Sequence, residues 1–373
     1  MTTISAQRGR PPHKSAAILK ELRQRILSGQ IAPGARLPGR FELSETFDAS
    51  TATVQHAIND LLRDGFIDVL DGVGTFVADH PPHLCRYAIA FPHSTLTWSR
   101  FYEAIRVAAE IITRDDPHRR FNLYYDIAGH TDVEDYKKLV ADLRARRLAG
   151  LIFASPLLLP KDSPLRADDG LPRMAIAVAN HSGIARLPVR FPDMAGCRER
   201  ALRLAAAMPG PRRLAVISAS SPEHWLELLS RSAVPLGLQF ERRHLQCPWH
   251  DSATAIRLCV QGLLGESSPD RRPNILIIDD DNYVEEATKG IVETGLRVPQ
   301  DMTVIAHCNW PAPPPAAVPV TRLGFDARVL LAECIHVIDS QREGVVPPPA
   351  RLLPVQLQEE QATDQPARAV PSL

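Results

Sequence analysis

Residues 26–77 read ILSGQIAPGARLPGRFELSETFDASTATVQHAINDLLRDGFIDVLDGVGTFV, and the order of their breakers and apolar positions decides the N-terminal fold. Just upstream, Ala16, Leu19, Leu22 and Ile26 recur every three or four residues and the run stops at Gly29, which predicts a helix over 15–28 with a glycine C-cap. The prolines and glycine of IAPGARLP end it. Phe41, Leu43 and Phe47 then mark a short second helix. Ser50 is an N-cap residue for a third, carried by Val54, Ala57, Ile58, Leu61 and Leu62 to Gly65. In FIDVLDGVGTFV two apolar stretches flank Asp71-Gly72, a two-residue hairpin signal that places Gly74 beside the turn. Three helices and a hairpin therefore occupy 15–79.

Around this unit the chain has 373 residues, 45% hydrophobic and 23% charged, enough for two or three folding units. Net charge is zero, but its distribution is uneven. Arg8, Arg10, Lys14, Lys20, Arg23, Arg25, Arg36 and Arg40 are opposed only by Glu21 up to residue 40, whereas eight acidic residues face Arg63 alone from Glu42 to Asp79. Contact with phosphate is expected on the N-terminal side, including a basic arm over 1–14. Pro81 and Pro82 lie in a linker, 80–84. Beyond it, short apolar runs at 86–91, 121–127, 150–154, 174–179, 214–219, 274–279 and 302–307 alternate with helical segments near 98–114, 132–147, 194–208, 222–232, 252–264, 283–295 and 326–342. Runs that short and apolar suit parallel strands buried on both faces. Pro311 to Pro319 reads as a loop, and 359–373 has the composition of a disordered tail.

Over 26–77 the chain resembles the GntR pattern I..G.l.PG..LP...eLa..f..S..TV..A...L...G.i....G.GTFV. Residues 85 to about 358 resemble the periplasmic-binding-protein-like effector domain of LacI/GalR regulators, most clearly at NILIIDDDNYVEEATKGIVETGLRVPQDMTVIAHCNW (274–310). The resemblance implies an α/β protein with an N-terminal winged helix-turn-helix and a two-lobed domain of parallel sheets flanked by helices. It further implies a homodimer, a double-stranded DNA operator and a small-molecule effector, often a sugar, held between lobes. The expected function is a ligand-responsive transcription regulator, a repressor of sugar utilisation; the alternative is a small-molecule sensor whose winged helix serves protein interaction.

In such a module the third helix enters the major groove and the wing reaches the neighbouring backbone. Candidate base contacts are Ser50, Thr51, Thr53, Gln55 and His56; Arg36 and Arg40 are candidates for phosphate, with Gly72 and Gly74 allowing close approach. The chain departs from its family here, since arginines of an S-R-x-T-V-R arrangement are replaced by Thr51 and Gln55. Effector candidates stand after predicted strands, where open α/β sheets bind ligands. They are His93, Ser94 and Trp98; Asp126; Ser155; Asn180 and His181; Ser220; Trp249; Asp280; and Asn309 with Trp310. Among Asp279, Asp280 and Asp281, at least one is expected only to cap the following helix.

No metal site, cofactor or catalytic residue is expected. The six cysteines lack ligand spacing and read as reduced and mostly buried, the aspartate run lacks an oxygen-ligand loop, and no P-loop, GxSxG or HExxH occurs. The N-terminus lacks an apolar signal region and no apolar run is long enough to span a bilayer, so a cytoplasmic protein without membrane contact is expected.

Overall fold

A computed structural model describes residues 13–94, 99–128, 131–155, 159, 163–167, 169–177, 187–248, 252–265, 268–346 and 352–363. The chain divides into two compact units. One comprises Met1–Ala90, Thr113–Leu151 and Leu159–Pro172, and the other Phe91–Ile112, Ile152–Leu158 and Arg173–Leu373.

The first unit opens with α1 (His13–Leu27), α2 (Arg40–Thr46) and α3 (Thr51–Asp64), then the antiparallel pair β1 (Ile67–Leu70) and β2 (Gly74–Val77). Ile18, Leu22 and Ile26 stand four residues apart on α1 and bury into one core with Leu43 of α2, Val54, Ala57, Ile58 and Leu61 of α3, and Ile67 and Val77 of the hairpin. Burying a Leu or Ile fully contributes about 1.5–3 kcal/mol, so this ridge carries much of the small domain's stability. The ridge differs from the sequence expectation. Ala16 is exposed, and Leu19 only packs at the margin. Phe41 is 81% exposed and Leu62 42%, so neither belongs to the core.

At the start of α3 the Ser50 hydroxyl accepts from the Thr53 amide, as its residue type predicts. At its end Gly65 takes φ +83°, the left-handed conformation in which a side chain would be strained, and donates back to Leu61 and Leu62. The hairpin pairs Leu70 with Gly74 and leaves three residues in the turn, one more than Asp71-Gly72 predicts. The expected linker over 80–84 is a packed joint: Pro81 and Pro82 are buried, α4 (Pro82–Cys85) follows, and His83 stacks on Phe66.

The remaining strands build two six-stranded sheets, in the orders β13-β7-β6-β5-β3-β4 and β14-β12-β11-β10-β8-β9. The first uses β3 (Arg86–Ala90), β4 (Arg120–Tyr124), β5 (Gly150–Phe153), β6 (Arg173–Ile176), β7 (Val189–Pro192) and β13 (Leu352–Leu353). The second uses β8 (Arg213–Ile217), β9 (Gln239–Gln246), β10 (Ile275–Ile278), β11 (Thr303–Trp310), β12 (Thr321–Asp326) and β14 (Gln356–Leu357). β8, β10, β11 and β12 run parallel, and only β14 is antiparallel to its neighbour. The central β10, ILII, is buried at every position, as a strand covered on both faces requires.

All seven predicted strands have counterparts, and all seven predicted helices appear as α5 (Arg100–Asp115), α6 (Glu134–Arg144), α7 (Met194–Ala207), α8 (Pro222–Ser232), α9 (Ala253–Leu264), α10 (Val284–Glu293) and α11 (Ala327–Arg342). Five strands escaped the sequence reading: β7, β9, β12, β13 and β14. β9 reads QFERRHLQ and lies at a sheet edge, where exposed polar residues are tolerated and mask the apolar signal. The expected tail begins too early, because α12 (Gln358–Thr363) continues from β14, and Glu360 pairs with Arg200 of α7. Residues 364–373 lie outside the described residues.

Candidate nucleic-acid interface and ligand pocket

The exposed side of α3 carries Thr51, Ala52, His56 and Asn59, with Gln55 half-buried among them. Gln55 Nε2 donates to Asn59 Oδ1 at 2.7 Å. This face is uncharged up to Asp60, and Arg63 is paired with Asp60 at 2.8 Å. Of the expected base contacts, Thr51, Gln55 and His56 share the face, while Ser50 and Thr53 serve the cap. Thr53 is 6% exposed, and its hydroxyl lies 2.9 Å from Ser50 Oγ, so the expectation that it stands on the exposed face is corrected. The α3 periodicity turns position 53 inward with Val54 and Ala57.

Three of the N-terminal cations are engaged: Lys14 with Asp48, Arg23 with Asp64 and Arg25 with Glu21. Arg36 and Arg40 are exposed and enter no ion pair among the described residues. The Arg36 side chain lies across the wing at Gly74, where φ is +150° and an added Cβ would stand 2.8 Å from Arg36 Nε. The exposed arginine can move aside, and it is the positive φ that favours glycine there. Arg8 and Arg10 lie outside the described residues.

The far end of α3 is held differently. Asp64, 6% exposed, accepts from Arg23 Nη2 of α1 at 2.6 Å and from Arg147 Nη1 at 2.9 Å, and Arg147 also pairs with Asp142 of α6 at 2.7 Å. One buried carboxylate thus joins the third helix to the first and to the segment following α6.

The second unit contains a cavity of about 400 Å³ at the carboxyl ends of β8, β10, β11 and β12. Its floor is built from the aspartate run, whose three members do three things. Asp279 Oδ2 accepts from Ser218 Oγ at 2.8 Å, Trp225 Nε1 at 2.9 Å and Arg198 Nε at 3.0 Å. Arg198 in turn donates to Ser220 Oγ at 2.6 Å and lies over the Trp225 ring. Asp280 is the cap, accepting from the Asn282 amide at 2.9 Å and its side chain at 2.7 Å. Asp281, 4% exposed, accepts from Asn309 Nδ2 at 2.7 Å. Burial and the neighbouring Asp280 push its carboxyl up to about 6, against the opposing pull of His307, Asn309 and Arg100. Phe101, Tyr102 and Phe325 supply aromatic lining. Burial raises the Tyr102 phenol, which hydrogen-bonds Ser155.

Of the predicted ligand residues, Ser220, Asp280 and Asn309 line this cavity, and Ser155 meets it through Tyr102. Trp310 is 7% exposed and packs in the interior. His93 is exposed away from the lining, and Asp126 belongs to the first unit, at φ +60°. Trp98, Asn180, His181 and Trp249 lie outside the described residues. The sequence reading missed Arg198, Asp281, His307 and the aromatic wall. Arg198 and Asp281 carried separate signals, a cation on an apolar helix and one aspartate of a run, but nothing local announces that they face one cavity.

Among the described residues no group of three His, Cys, Asp or Glu is placed to hold a metal ion, and no helix is long and apolar enough to cross a membrane. The six cysteines are free; Cys85, Cys197, Cys308 and Cys334 are buried, and burial pushes Cys197 up to about 12.

The class follows from these features: a winged helix-turn-helix followed by two parallel-sheet α/β domains of the periplasmic-binding-protein-like kind. Residues 14–77 match the family model described as bacterial regulatory proteins, gntR family. Over 102 residues the chain is 30% identical to the histidine utilization repressor of Klebsiella aerogenes, covering 27% of this chain and 36% of that one. Over 69 residues it is 32% identical to the arabinose metabolism transcriptional repressor of Geobacillus stearothermophilus, covering 18% and 19%. The match thus spans about a third or less of these relatives. The fold is shared with a transcriptional regulator CelR–cellobiose complex, at TM-score 0.53 and 17% identity, covering 94% of this chain and 98% of that one.

Proposed function

We propose that this protein is a ligand-responsive DNA-binding transcription regulator, acting as a dimer in the cytoplasm, whose α/β part binds a small polyhydroxylated effector. The observation that carries the reading is the pairing, in one chain, of a GntR-type domain exposing Thr51, Gln55 and His56 on α3 with a carboxylate- and aromatic-lined cavity at the ends of parallel strands. Polar acceptors beside aromatic faces are what a polyol needs, since its hydroxyls donate while its C–H faces stack. The regulators resembling the fold include one solved with cellobiose, which supports a carbohydrate. Ser220, Asp280, Asp281 and Asn309 are its contacts in this reading, Arg36 and Arg40 hold phosphate, and effector binding shifts the population between two DNA affinities.

The test is a gel shift of the purified protein on its own promoter fragment over a salt series, with calorimetry against a panel of pentoses, hexoses and disaccharides. Each phosphate contact contributes about −0.9 to the slope of log affinity against log salt, so Arg36→Gln with Arg40→Gln should flatten it by about two. A protein that shifts no fragment at any salt, with or without sugar, is not a DNA-binding regulator. Absence of heat with every sugar removes the carbohydrate effector while leaving DNA binding intact.

A further inference from the structure

We propose that Asn59 is a specificity-determining positioning residue: it holds the Gln55 carboxamide in the orientation that reads adenine in the major groove. The inference rests on the DNA-binding reading above and deepens it. Thr51, Gln55 and Asn59 stand four residues apart, forming one ridge along α3, and none of the three is buried in the core. Gln55 Nε2 donates to Asn59 Oδ1 at 2.7 Å.

The consequence is a matter of counting hydrogens. A glutamine amide has two N–H groups and one oxygen. In the proposed arrangement Asn59 takes the N–H trans to Oε1, leaving the cis N–H beside Oε1 as a donor and an acceptor. Adenine presents the complement in the major groove: N7 accepts and the N6 amino group donates. Guanine presents two acceptors, and Gln55 held in this way would set its oxygen against O6. The neighbours do not override the preference. The only cation on the helix, Arg63, is paired with Asp60, so no guanidinium on this face competes for guanine N7 and O6. Where the GntR pattern carries an arginine this chain has the Gln55 amide, whose partner Asn59 lies one turn further on.

The experiment is selection of bound duplexes from a randomised DNA library with the full-length protein, followed by sequencing and competition with the enriched duplex. Wild type should enrich a site with adenine fixed at one position of each half-site. Replacing that adenine by 7-deazaadenine, which lacks N7, should weaken binding about tenfold, within the range of a bidentate contact. Asn59→Leu keeps the shape and removes the acceptor, and should reduce the adenine preference to the level of Gln55→Ala. Asn59→Asp restores the acceptor and should keep the preference while lowering overall affinity, because its charge faces the phosphates. Thermal unfolding of both variants should match wild type, since Asn59 is exposed. An unchanged adenine preference in Asn59→Leu, or an enriched site with no adenine sensitive to N7, overturns the assignment while leaving DNA binding standing. No enriched sequence at all overturns the DNA-binding reading itself.

Discussion

Asp64 and Asp281 are both buried carboxylates, 6% and 4% exposed, yet their surroundings are opposite. Asp64 receives two guanidinium groups, at 2.6 and 2.9 Å, from α1 and from the segment after α6. Asp281 receives one neutral donor, Asn309 at 2.7 Å, and burial raises its proton affinity against that hydrogen bond. The first arrangement places a cationic donor on each carboxylate oxygen and commits both to the fold. The second leaves lone pairs beside an aromatic-lined cavity. A carboxylate tied down on both oxygens by cations is a fastening, whereas one kept short of donors retains free acceptor sites.

The largest effect that separates them is on stability. Asp64→Asn removes the charge between Arg23 and Arg147 and strands two partly buried guanidinium groups; it should cost about 3–5 kcal/mol, read from the denaturant midpoint. A loss below about 1 kcal/mol would mean the node is not a fastening. Asp281→Asn should act in the other direction. Its folded carboxyl, pushed up to about 6, lies above the ordinary 3.8, so the folded state holds the extra proton between those values and stability falls as pH rises through that window. Above pH 6 the cost is fully present, up to about 3 kcal/mol, and the amide removes it while its oxygen still accepts from Asn309. The variant should therefore unfold at higher temperature than wild type at pH 7, converge with it near pH 4, and bind effector at least tenfold more weakly. Equal midpoints at both pH values would show that Asp281 is already satisfied. The smallest effect belongs to Asn309→Leu, which should cost about 1 kcal/mol and move the Asp281 titration further upward, visible as a shifted pH dependence of unfolding.

The same contrast explains what could be read in advance. The N-terminal fold was legible because its determinants are local: the Ser50 cap, the Gly65 terminator and the apolar spacing of α3 act within a few residues of themselves. The parallel strands were legible because central strands such as ILII are apolar throughout. The edge strand β9 was not, since its charged residues lie on an exposed border and it resembles a loop. At the cavity, position after a strand named Ser220, Asp280 and Asn309, which line it, but also Trp310, which packs in the interior. Arg198 meets Asp279 across 81 positions of chain, a pairing made by the packing of α7 on the sheet and by no local pattern. Thr53 failed for the reverse reason: a hydroxyl at the start of a helix is chemically suited to DNA, but its place in the helical repeat faces the core.

The clasp at Asp64 also sets a mechanical ratio. α3 spans 14 residues, about 21 Å at 1.5 Å per residue, and it is gripped at the end opposite Thr51 and Gln55. Val54, Ala57, Ile58 and Leu61 pack along its length, so the helix moves with the small domain as one body, and the Arg147 contact acts on that body. A tilt of about 5° at the clasp carries the tip sideways by roughly 2 Å, more than the tolerance of a hydrogen bond to a base edge. With Pro81 and Pro82 buried, so small a rotation need not be absorbed before it reaches the tip of α3.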